Sequence, residues 1–592
     1  MTRDIIIITC VLIFMVVALY KEYLKPVLVF IACIAILLVS GVIQPVEALS
    51  GFSNENIAVV FLLLVLSDIL KKTGLLDVSL NNIFSTKLNY RQFMSRLTIS
   101  VASISGFVNN TPLVAILSPH VYSWAKNKGI SPSKVMMPLS FAAIMGGVIT
   151  LIGTSTNLVV NGLASDAGLG VQMGMFTFTP IGVPLCIIGC IYLIFLSNKF
   201  LPSRKDALEK FEEKRGDYLV ETYVNNSSEL IGKTVDEASL RSLRGLFLME
   251  IIRDNRVITP VTPYEVIEEN DTLIFVGETD TIIDLVKNNT GLSVVGQADQ
   301  IISEKVDVVE VVISTNSYLS GRLVKDSNFR DRFDAAILAV NRNGEKLSGK
   351  VGEQELHSGD LLLVTTGKEF YSRLEETKDL IIISKLRELA PPERATVFSI
   401  IAGIIVAFVF AATGIMSLFH SLFLLICILL IARVTKIEEI KRTLDFDLMV
   451  ILALAIGVGK AISVSGADKY FADGIVYAMS DFGSPLLALF VVYLITNLLT
   501  MFVTNAAAVA ITFPIAISLM MQMGLDTPIP FMLVTALAAS ADFMTPFGYQ
   551  TNLMVYGPGG YKFVDYIKFG FPLTLMYMIV SVLGVAYLYD MI

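Results

Sequence analysis

The stretch that decides the fold is FVNNT at residues 107–111, which recurs as FVTNA at residues 502–506. Both segments belong to a longer match without gaps, in which residues 107–162 align with residues 502–557 at a constant offset of 395. Glycine, asparagine, threonine and proline recur at equal positions inside apolar stretches, and such residues break or end helices. A polar, helix-breaking segment at the same place in two hydrophobic halves indicates the substrate site of a secondary transporter. The alternative is a duplicated packing architecture without a transport role.

The composition independently indicates a membrane protein. The 592 residues are 54% hydrophobic and only 17% charged, which is too apolar for a soluble protein of several domains. A formal net charge of −8 without a basic block argues against nucleic-acid binding. The five cysteines lie in apolar runs without metal-ligand spacing, and the sequence has no nucleotide loop or nucleophile elbow. We therefore expect neither an enzyme nor an organic cofactor.

The apolar runs predict a polytopic α-helical protein in the lipid bilayer of the cell inner (plasma) membrane. Each run is near the length of about 20 residues that crosses the hydrocarbon core. The predicted spans are 4–20, 25–43, 56–71, 133–163, 174–197, 396–414, 417–433, 446–465, 528–556 and 568–590. Two further apolar stretches, 92–122 and 485–520, are interrupted by polar residues at their middles. We interpret both as re-entrant hairpins, because a polar break at membrane depth must be buried in protein or line a cavity.

Basic residues and a charged interval set the predicted orientation and domains. Lys and Arg gather on the side that the positive-inside rule makes cytoplasmic, which leaves the two halves inverted relative to each other. The predicted domains are a first transmembrane repeat at 1–204 and a second, inverted repeat at 391–592. Between them lies a charged, strand-like cytoplasmic insert, duplicated at an offset of 89 into units at 205–295 and 296–390.

The polar breaks carry candidate ligands for two sodium ions. Sodium requires several oxygen atoms, which unwound backbone and Asn, Ser or Thr side chains provide. In the first half we assign this role to Ser105, Asn109, Asn110 and Gly153, and the offset of 395 extends it to Thr500, Thr504, Asn505 and Gly548. Each hydroxyl could instead only satisfy helix backbone.

An anion between the tips would meet helix N-termini, amides and hydroxyls. The residues that we place around it are Asn110, Thr111, Asn157, Asn505, Thr551 and Asn552. Asp542 stands opposite Gly147 in the repeat, and an intramembrane carboxylate is a candidate for ion coupling through sodium or a proton. It could alternatively face the cytoplasmic vestibule or be tied to the backbone.

The insert resembles a tandem pair of TrkA-C (RCK-C) domains, which are small α/β ligand-sensing modules of channels and transporters. The resemblance rests on the duplicated pattern, in which Arg253 answers Arg342 and residues 270–273 answer residues 359–362. It implies a small regulatory ligand, for which Arg253 and Arg342 are candidate contacts. A Rossmann fingerprint is absent from the sequence, so NAD is not implied.

The membrane part resembles the divalent anion/sodium symporter (DASS) family, and within it the sulfate-permease-like branch. Four segments carry this resemblance: the tips at 109–111 and 504–506, and the loops at 153–157 and 545–552. The resemblance implies that the two oxygen clusters are the sodium sites of the family, and that the chain is a homodimer with an elevator or rocking mechanism. Ala506 lacks a hydroxyl of the family and Asn109 replaces serine, which favours a compact dianion over a dicarboxylate.

The sequence thus predicts a sodium-coupled symporter of a small divalent oxyanion, most simply sulfate, regulated by the TrkA-C modules. A sodium/dicarboxylate symporter is the first alternative. A TrkA-C-gated channel or cation transporter is a second, although no selectivity-filter sequence is present. A ligand sensor with a vestigial membrane part is a third.

Overall fold

The computed structural model describes residues 3–21, 24–72, 88–204, 219–240, 246–254, 256–258, 261–277, 292–294, 308–314, 317–342, 345–347, 351–367, 369–375, 377, 379–383, 394–437, 440–441, 446–479 and 484–591. The helices before the insert are α1 (Arg3–Lys21), α2 (Pro26–Val39), α3 (Pro45–Ala48), α4 (Glu55–Lys72), α5 (Tyr90–Ser105), α6 (Asn110–Asn127), α7 (Met136–Gly147), α8 (Ser155–Asp166) and α9 (Thr179–Phe200). The insert contains the short helices α10 (Phe329–Phe333) and α11 (Phe370–Glu375). After it come α12 (Arg394–Ala412), α13 (Leu418–Ile431), α14 (Phe446–Val464), α15 (Ala467–Ala478), α16 (Pro485–Thr500), α17 (Asn505–Gln522), α18 (Ile529–Ser540), α19 (Gln550–Tyr556) and α20 (Phe563–Leu588).

The sequence repeat is confirmed as a structural repeat. Helices α16 and α17 begin and end 395 residues after α5 and α6, and α19 begins 395 residues after α8. Both predicted hairpins are pairs of helices broken at the polar tips, at residues 106–109 and 501–504. That these hairpins are re-entrant stays a prediction. Helix α15 was not predicted from the sequence.

The predicted membrane spans correspond to apolar helices. Five helices of the described residues are long and apolar enough to cross a membrane: α1, α9, α14, α17 and α20. Several shorter apolar helices accompany them, including α2, α13, α16 and α18. Large apolar side chains such as Ile13, Ile187 and Phe571 are more than half exposed, and a lipid-facing surface would cover them.

Two of the predicted spans are broken into helix pairs, α7 with α8 and α18 with α19. Unwound backbone at this depth needs internal hydrogen-bond partners. The Asn157 amide donates to the Thr150 carbonyl at 2.9 Å, inside the first break. Its repeat counterpart, Asn552, donates to the carbonyls of Asp542 at 2.8 Å and Thr545 at 3.1 Å, inside the second. The same asparagine at the same place therefore satisfies the backbone of each break.

The two halves interlock through their broken helices. Helix α6 of the first half packs on α19 of the second, and α17 of the second half packs on α8 of the first. Two further contacts also join the halves, because α7 of the first half packs on α19 and α18 of the second half packs on α8. Each half therefore completes the environment of the other half's loop.

The insert folds into two modules of the same topology. The strands of the first module are β1 (Leu219–Val224), β2 (Leu246–Arg253), β3 (Arg256–Ile258), β4 (Thr272–Gly277) and β5 (Leu292–Val294). Those of the second are β6 (Val308–Ile313), β7 (Arg322–Leu323), β8 (Ala335–Arg342), β9 (Glu345–Lys346), β10 (Glu355–Leu356), β11 (Leu361–Thr366) and β12 (Leu380–Ile382). The first sheet has the strand order β3-β2-β4-β1-β5, and the second has the order β9-β8-β11-β6-β12, while β7 pairs with β10 apart from the main sheet. Every pairing among the described strands is antiparallel, and β2 and β8 carry a bulge at the same repeat position.

The predicted duplication is confirmed, while the TrkA-C resemblance stays a prediction. The predicted boundaries at 205, 295–296 and 390–391 lie outside the described residues.

The two arginines predicted to contact a regulatory ligand have structural partners. Arg253 binds both carboxylate oxygens of Asp271, at 2.8 and 2.9 Å, and Arg342 binds both of Asp360 at 2.7 Å. The hydrogen bond with Asp271 raises the pKa of the Arg253 guanidinium. Each pair joins a strand end to the turn before the next strand in the sheet. A ligand at either arginine would compete with a buried carboxylate, so the structure supports a folding role for both.

We expect Arg342→Met to loosen the second module. The substitution leaves the Asp360 carboxylate buried without its bidentate partner, which costs about 3 kcal/mol. Hydrogen exchange of peptides covering β8 and β11 in the full-length protein measures the effect. Arg373→Met is the control, because Arg373 pairs with Glu369 at the exposed surface of the same module. Equal exchange in the two variants would contradict the structural role of Arg342.

Candidate functional site

The first cluster of oxygen atoms lies where the hairpin of α5 and α6 meets the first broken helix. The Ser105 hydroxyl lies 2.8 Å from the Ala143 carbonyl and in close contact with Asn110 Oδ1, and both side chains are buried. A Cβ on Gly153 would lie 2.5 Å from the Gly147 carbonyl oxygen and 2.8 Å from that of Ser105. Glycine is therefore required at 153 by the close approach of two carbonyls. Three of the four residues predicted for this sodium site come together.

The second cluster repeats the first with one addition. The Thr500 hydroxyl lies 2.9 Å from Asn505 Oδ1 and 2.9 Å from the Ala539 carbonyl. Gly548 packs against the Thr500 carbonyl, as Gly153 packs against that of Ser105, and it also packs against the Asp542 carboxylate. The predicted residues Thr500, Asn505 and Gly548 are thus together. Oxygen atoms dominate both clusters, which suits a hard cation such as sodium.

Asn109 and Thr504 cap the second helix of each hairpin. The Asn109 side chain accepts a hydrogen bond from the Thr111 N–H at 3.4 Å, and the Thr504 hydroxyl accepts one from the Ala507 N–H at 3.3 Å. Such caps satisfy backbone N–H groups that have no partner within the helix. Their side chains hold the tips in shape, and a role as sodium ligands stays a prediction.

Asp542 distinguishes the second cluster from the first. Its side chain is fully buried and accepts hydrogen bonds from the Thr545 N–H at 3.2 Å and from the Thr545 hydroxyl at 2.9 Å. In this structure the carboxylate does not reach a vestibule surface, and its hydrogen bond with the Thr545 N–H ties it to the backbone. A role in ion coupling stays a prediction. None of the ion pairs of the described residues involves this carboxylate. A buried carboxylate among neutral groups attracts a cation or a proton.

The tip of the first hairpin touches the loop of the second half. The Asn110 amide donates to the Tyr549 hydroxyl at 2.6 Å, and the Thr111 hydroxyl donates to Gln550 Oε1 at 3.1 Å. The Tyr549 hydroxyl also lies 3.3 Å from that of Thr154, its own repeat counterpart. These contacts occupy the donors of Asn110 and Thr111 that the sequence assigns to an anion, and that assignment stays a prediction.

Tyr549 and Gln550 were not predicted as site residues. The signal was available, because the offset of 395 places them against Thr154 and Ser155, so two small side chains of one half are replaced by two large ones in the other. Residues that the two halves share stand out in the repeat, whereas Tyr549 and Gln550 differ from their counterparts Thr154 and Ser155.

The remaining predicted anion residues lie deeper in the breaks. The Ser140 hydroxyl of α7 lies 2.8 Å from the Thr551 hydroxyl and 2.7 Å from Asn552 Oδ1. Asn157 Oδ1 is buried and has no hydrogen-bond partner among the described residues. The structure therefore does not gather all six predicted residues around one point. It joins Asn110 and Thr111 to Tyr549 and Gln550, and uses Asn157, Thr551 and Asn552 to shape the loops.

Comparison with known proteins identifies relatives over nearly the whole chain. A family model described as citrate transporter matches residues 7–530. A Chlamydomonas reinhardtii protein named as a sulfur deprivation response regulator is 32% identical, over 93% of this chain and 96% of that protein. An uncharacterized transporter of Synechocystis sp. is also 32% identical, over 98% and 96% of the two chains. Sodium/sulfate cotransporter 1 of C. reinhardtii is 21% identical, over 91% and 84%.

We expect Gly153→Ala to abolish ion-dependent uptake. The added methyl group would meet two backbone carbonyl oxygens at less than 3 Å, and backbone atoms cannot move aside as a flexible side chain can. Flux of labelled anion into proteoliposomes measures the effect at matched protein amounts. Gly474→Ala is the control, since a Cβ at that helical glycine meets nothing within 4 Å. Normal uptake by Gly153→Ala would show that the carbonyls around Gly153 do not belong to the site.

Proposed function

Because the chain belongs to the citrate transporter family and is therefore a membrane transport protein of the anion permease type, we propose that it is a sodium-coupled symporter of sulfate. The observation that carries this proposal is the pair of buried oxygen clusters, Ser105 with Asn110 and Thr500 with Asn505, at repeat-equivalent hairpin tips. Two cation clusters at equivalent hairpin tips suit symport, because bound cations offset the charge of a dianion.

Sodium is the cation that this arrangement suits best. The clusters consist of hydroxyl, amide and carbonyl oxygens with the single carboxylate of Asp542, whereas divalent cations favour several carboxylates. The relatives named sodium/sulfate cotransporters support the same choice. The transported anion then binds near Asn110, Thr111 and Asn505, with Tyr549 and Gln550 displaced.

Sulfate is favoured over larger anions by the tip of the second hairpin. Ala506 offers no hydroxyl where a longer dicarboxylate would need a second set of donors, whereas a compact tetrahedral dianion is satisfied from one side. The family description as citrate transporter favours the second candidate, a sodium/dicarboxylate symporter. Uptake of labelled sulfate, succinate and citrate into proteoliposomes, each with and without a sodium gradient, decides between them. Uptake of none of the three would overturn the proposed function.

Transport by an elevator motion suits the interlocked halves. In this scheme the hairpins and broken helices, α5–α8 and α16–α19, move together against the remaining helices, in a homodimer of the plasma membrane. The insert lies on the cytoplasmic side and its TrkA-C-like modules regulate the motion. A ligand of the modules can do so only by binding one conformation more tightly than another.

We expect Asn110→Ala and Asn505→Ala each to abolish sodium-driven uptake. Each substitution removes an oxygen from one cluster and an amide donor from the tip region. Asn127→Ala is a matched control, because Asn127 is exposed at the opposite end of helix α6 from Asn110. Uptake at the wild-type rate in either tip variant would contradict the site assignment.

We expect Asp542→Asn to weaken the dependence on sodium while leaving the fold intact. Two unit charges about 4 Å apart interact by about 4 kcal/mol at an effective dielectric constant of about 20. Loss of only about 1.4 kcal/mol of that attraction raises the sodium concentration for half-maximal uptake about tenfold. Uptake is measured against sodium concentration at several pH values. An unchanged sodium dependence, with a lost dependence on pH, would instead make Asp542 a proton carrier.

A further inference from the structure

The second module of the insert packs directly on the membrane helices. Val312, Leu361 and Ile383 belong to the same apolar cluster as the helices of the membrane part, while the module has a separate core of its own. Two of the helices that it touches are α6 and α19, which begin at the site with Asn110 and Gln550. We call the contact between the second module and these two helices the docking surface.

A buried hydrogen bond joins the module to α6. The Tyr122 hydroxyl donates to Glu310 Oε2 at 2.5 Å, and both side chains are nearly inaccessible to solvent. Glu310 lies in β6, in the interior of the second sheet. Tyr122 lies twelve residues after Asn110, or roughly 18 Å along the helix. Since a buried carboxylate is costly unless it accepts hydrogen bonds, this contact favours the docked arrangement.

Two glycines allow the module and α19 to pack in direct contact. A Cβ on Gly359, in the turn before β11, would lie 2.6 Å from a Leu553 methyl carbon. A Cβ on Gly557, just after α19, would lie 2.8 Å from the Gly359 carbonyl oxygen and 3.2 Å from Leu361 Cβ. Leu553 follows Asn552 directly, so the turn of the module presses on the residue next to the site.

The first module carries different residues at part of the docking surface. It has the same sheet order and the same turn, in which Asn270 has a φ of +69° and Gly359 a φ of +85°. Asparagine tolerates this left-handed conformation, so backbone geometry alone does not require glycine at 359. At the offset of 89 the first module carries polar residues at three of the docking positions: Asn270 for Gly359, Thr272 for Leu361 and Tyr223 for Val312. Glu221 matches Glu310 and Val294 matches Ile383, so these two positions do not distinguish the modules. Two copies of one fold therefore differ at part of the surface by which the second module meets the membrane part.

We propose that the docked second module is an autoinhibitory brace that holds the site in its resting arrangement. It contacts the far ends of the two helices whose near ends are joined by Asn110 with Tyr549 and by Thr111 with Gln550. Fixing both far ends limits the relative movement of α6 and α19 that an anion needs in order to separate these pairs. The brace rests on the proposed function, because it assumes that the anion binds at this contact.

The consequence follows from linkage. If the module binds the resting arrangement more tightly than the anion-bound one, then undocking must increase the affinity for the anion. A ligand that draws the module away from α6 and α19 would then activate transport, without touching the site itself.

The test compares Gly359→Asn with Asn270→Gly in the full-length protein. The first substitution gives the second module the turn residue of the first module, which keeps the backbone conformation and places a side chain against Leu553. The second is the reciprocal change in the first module, which carries polar residues at three of the docking positions. Gly557→Ala disrupts the same contact from the membrane side, and it decides the question should Gly359→Asn fail to fold.

Two measurements distinguish the brace from the transport function. The first is hydrogen exchange of peptides covering residues 110–116 and 549–556, which needs no substrate. We expect the exchange rate to rise about fivefold in Gly359→Asn and Gly557→Ala but not in Asn270→Gly. We expect the KM for sulfate to fall about five- to tenfold in the same two variants. Unchanged exchange at the site, or a raised KM, overturns the brace. Absence of uptake by the wild-type protein overturns the proposed function, and the exchange result still decides whether docking holds the tips.

Discussion

The constraint on which the structure depends is that interrupted helices within a membrane must satisfy their own backbone. Asn157 and Asn552 do this for the two breaks, by donating to the carbonyls of Thr150 and of Asp542 and Thr545. Because lipid offers no hydrogen-bond partners, each break is stable only inside a protein envelope. The interlocking of the halves supplies that envelope, since α8 lies against α17 and α18, and α19 lies against α6 and α7. The oxygen clusters at the tips exist because this envelope allows carbonyl groups to remain outside regular helices.

Within this symmetric frame the chemistry is asymmetric. Gly147, Thr154 and Ser155 of the first half are small, whereas their counterparts Asp542, Tyr549 and Gln550 carry a charge, a phenol and an amide. The carboxylate makes one oxygen cluster more attractive to cations than the other. The phenol and the amide occupy the donors of the first tip. Three of the positions at which the halves differ thus give the two tips different chemistry on the same fold.

The insert follows the same principle of duplication and divergence. Its two modules share strand order, bulge position and the arginine–aspartate pair that joins strand to turn. They differ at the surface that packs on the membrane helices, where Gly359 and Leu361 replace Asn270 and Thr272. Shared residues maintain the fold of each module, and the residues that differ determine what each module contacts. Arg253 and Arg342 are shared residues that maintain the fold, so their matched positions do not by themselves indicate a ligand site.

The sequence by itself determined the repeat, the positions of the helix breaks and the residue types of both oxygen clusters. These features are local or recur at a constant offset, so the helices of the hairpins could be placed to within a few residues. It could not determine which amides serve the backbone and which join the oxygen clusters, because Asn109 as a cap and Asn110 as a cluster member are neighbours of one type. Only the tertiary structure brought Tyr549 to Asn110 across 439 residues and Glu310 to Tyr122 across 188. Such contacts depend on how the halves and the module pack together, which neither periodicity nor propensity encodes.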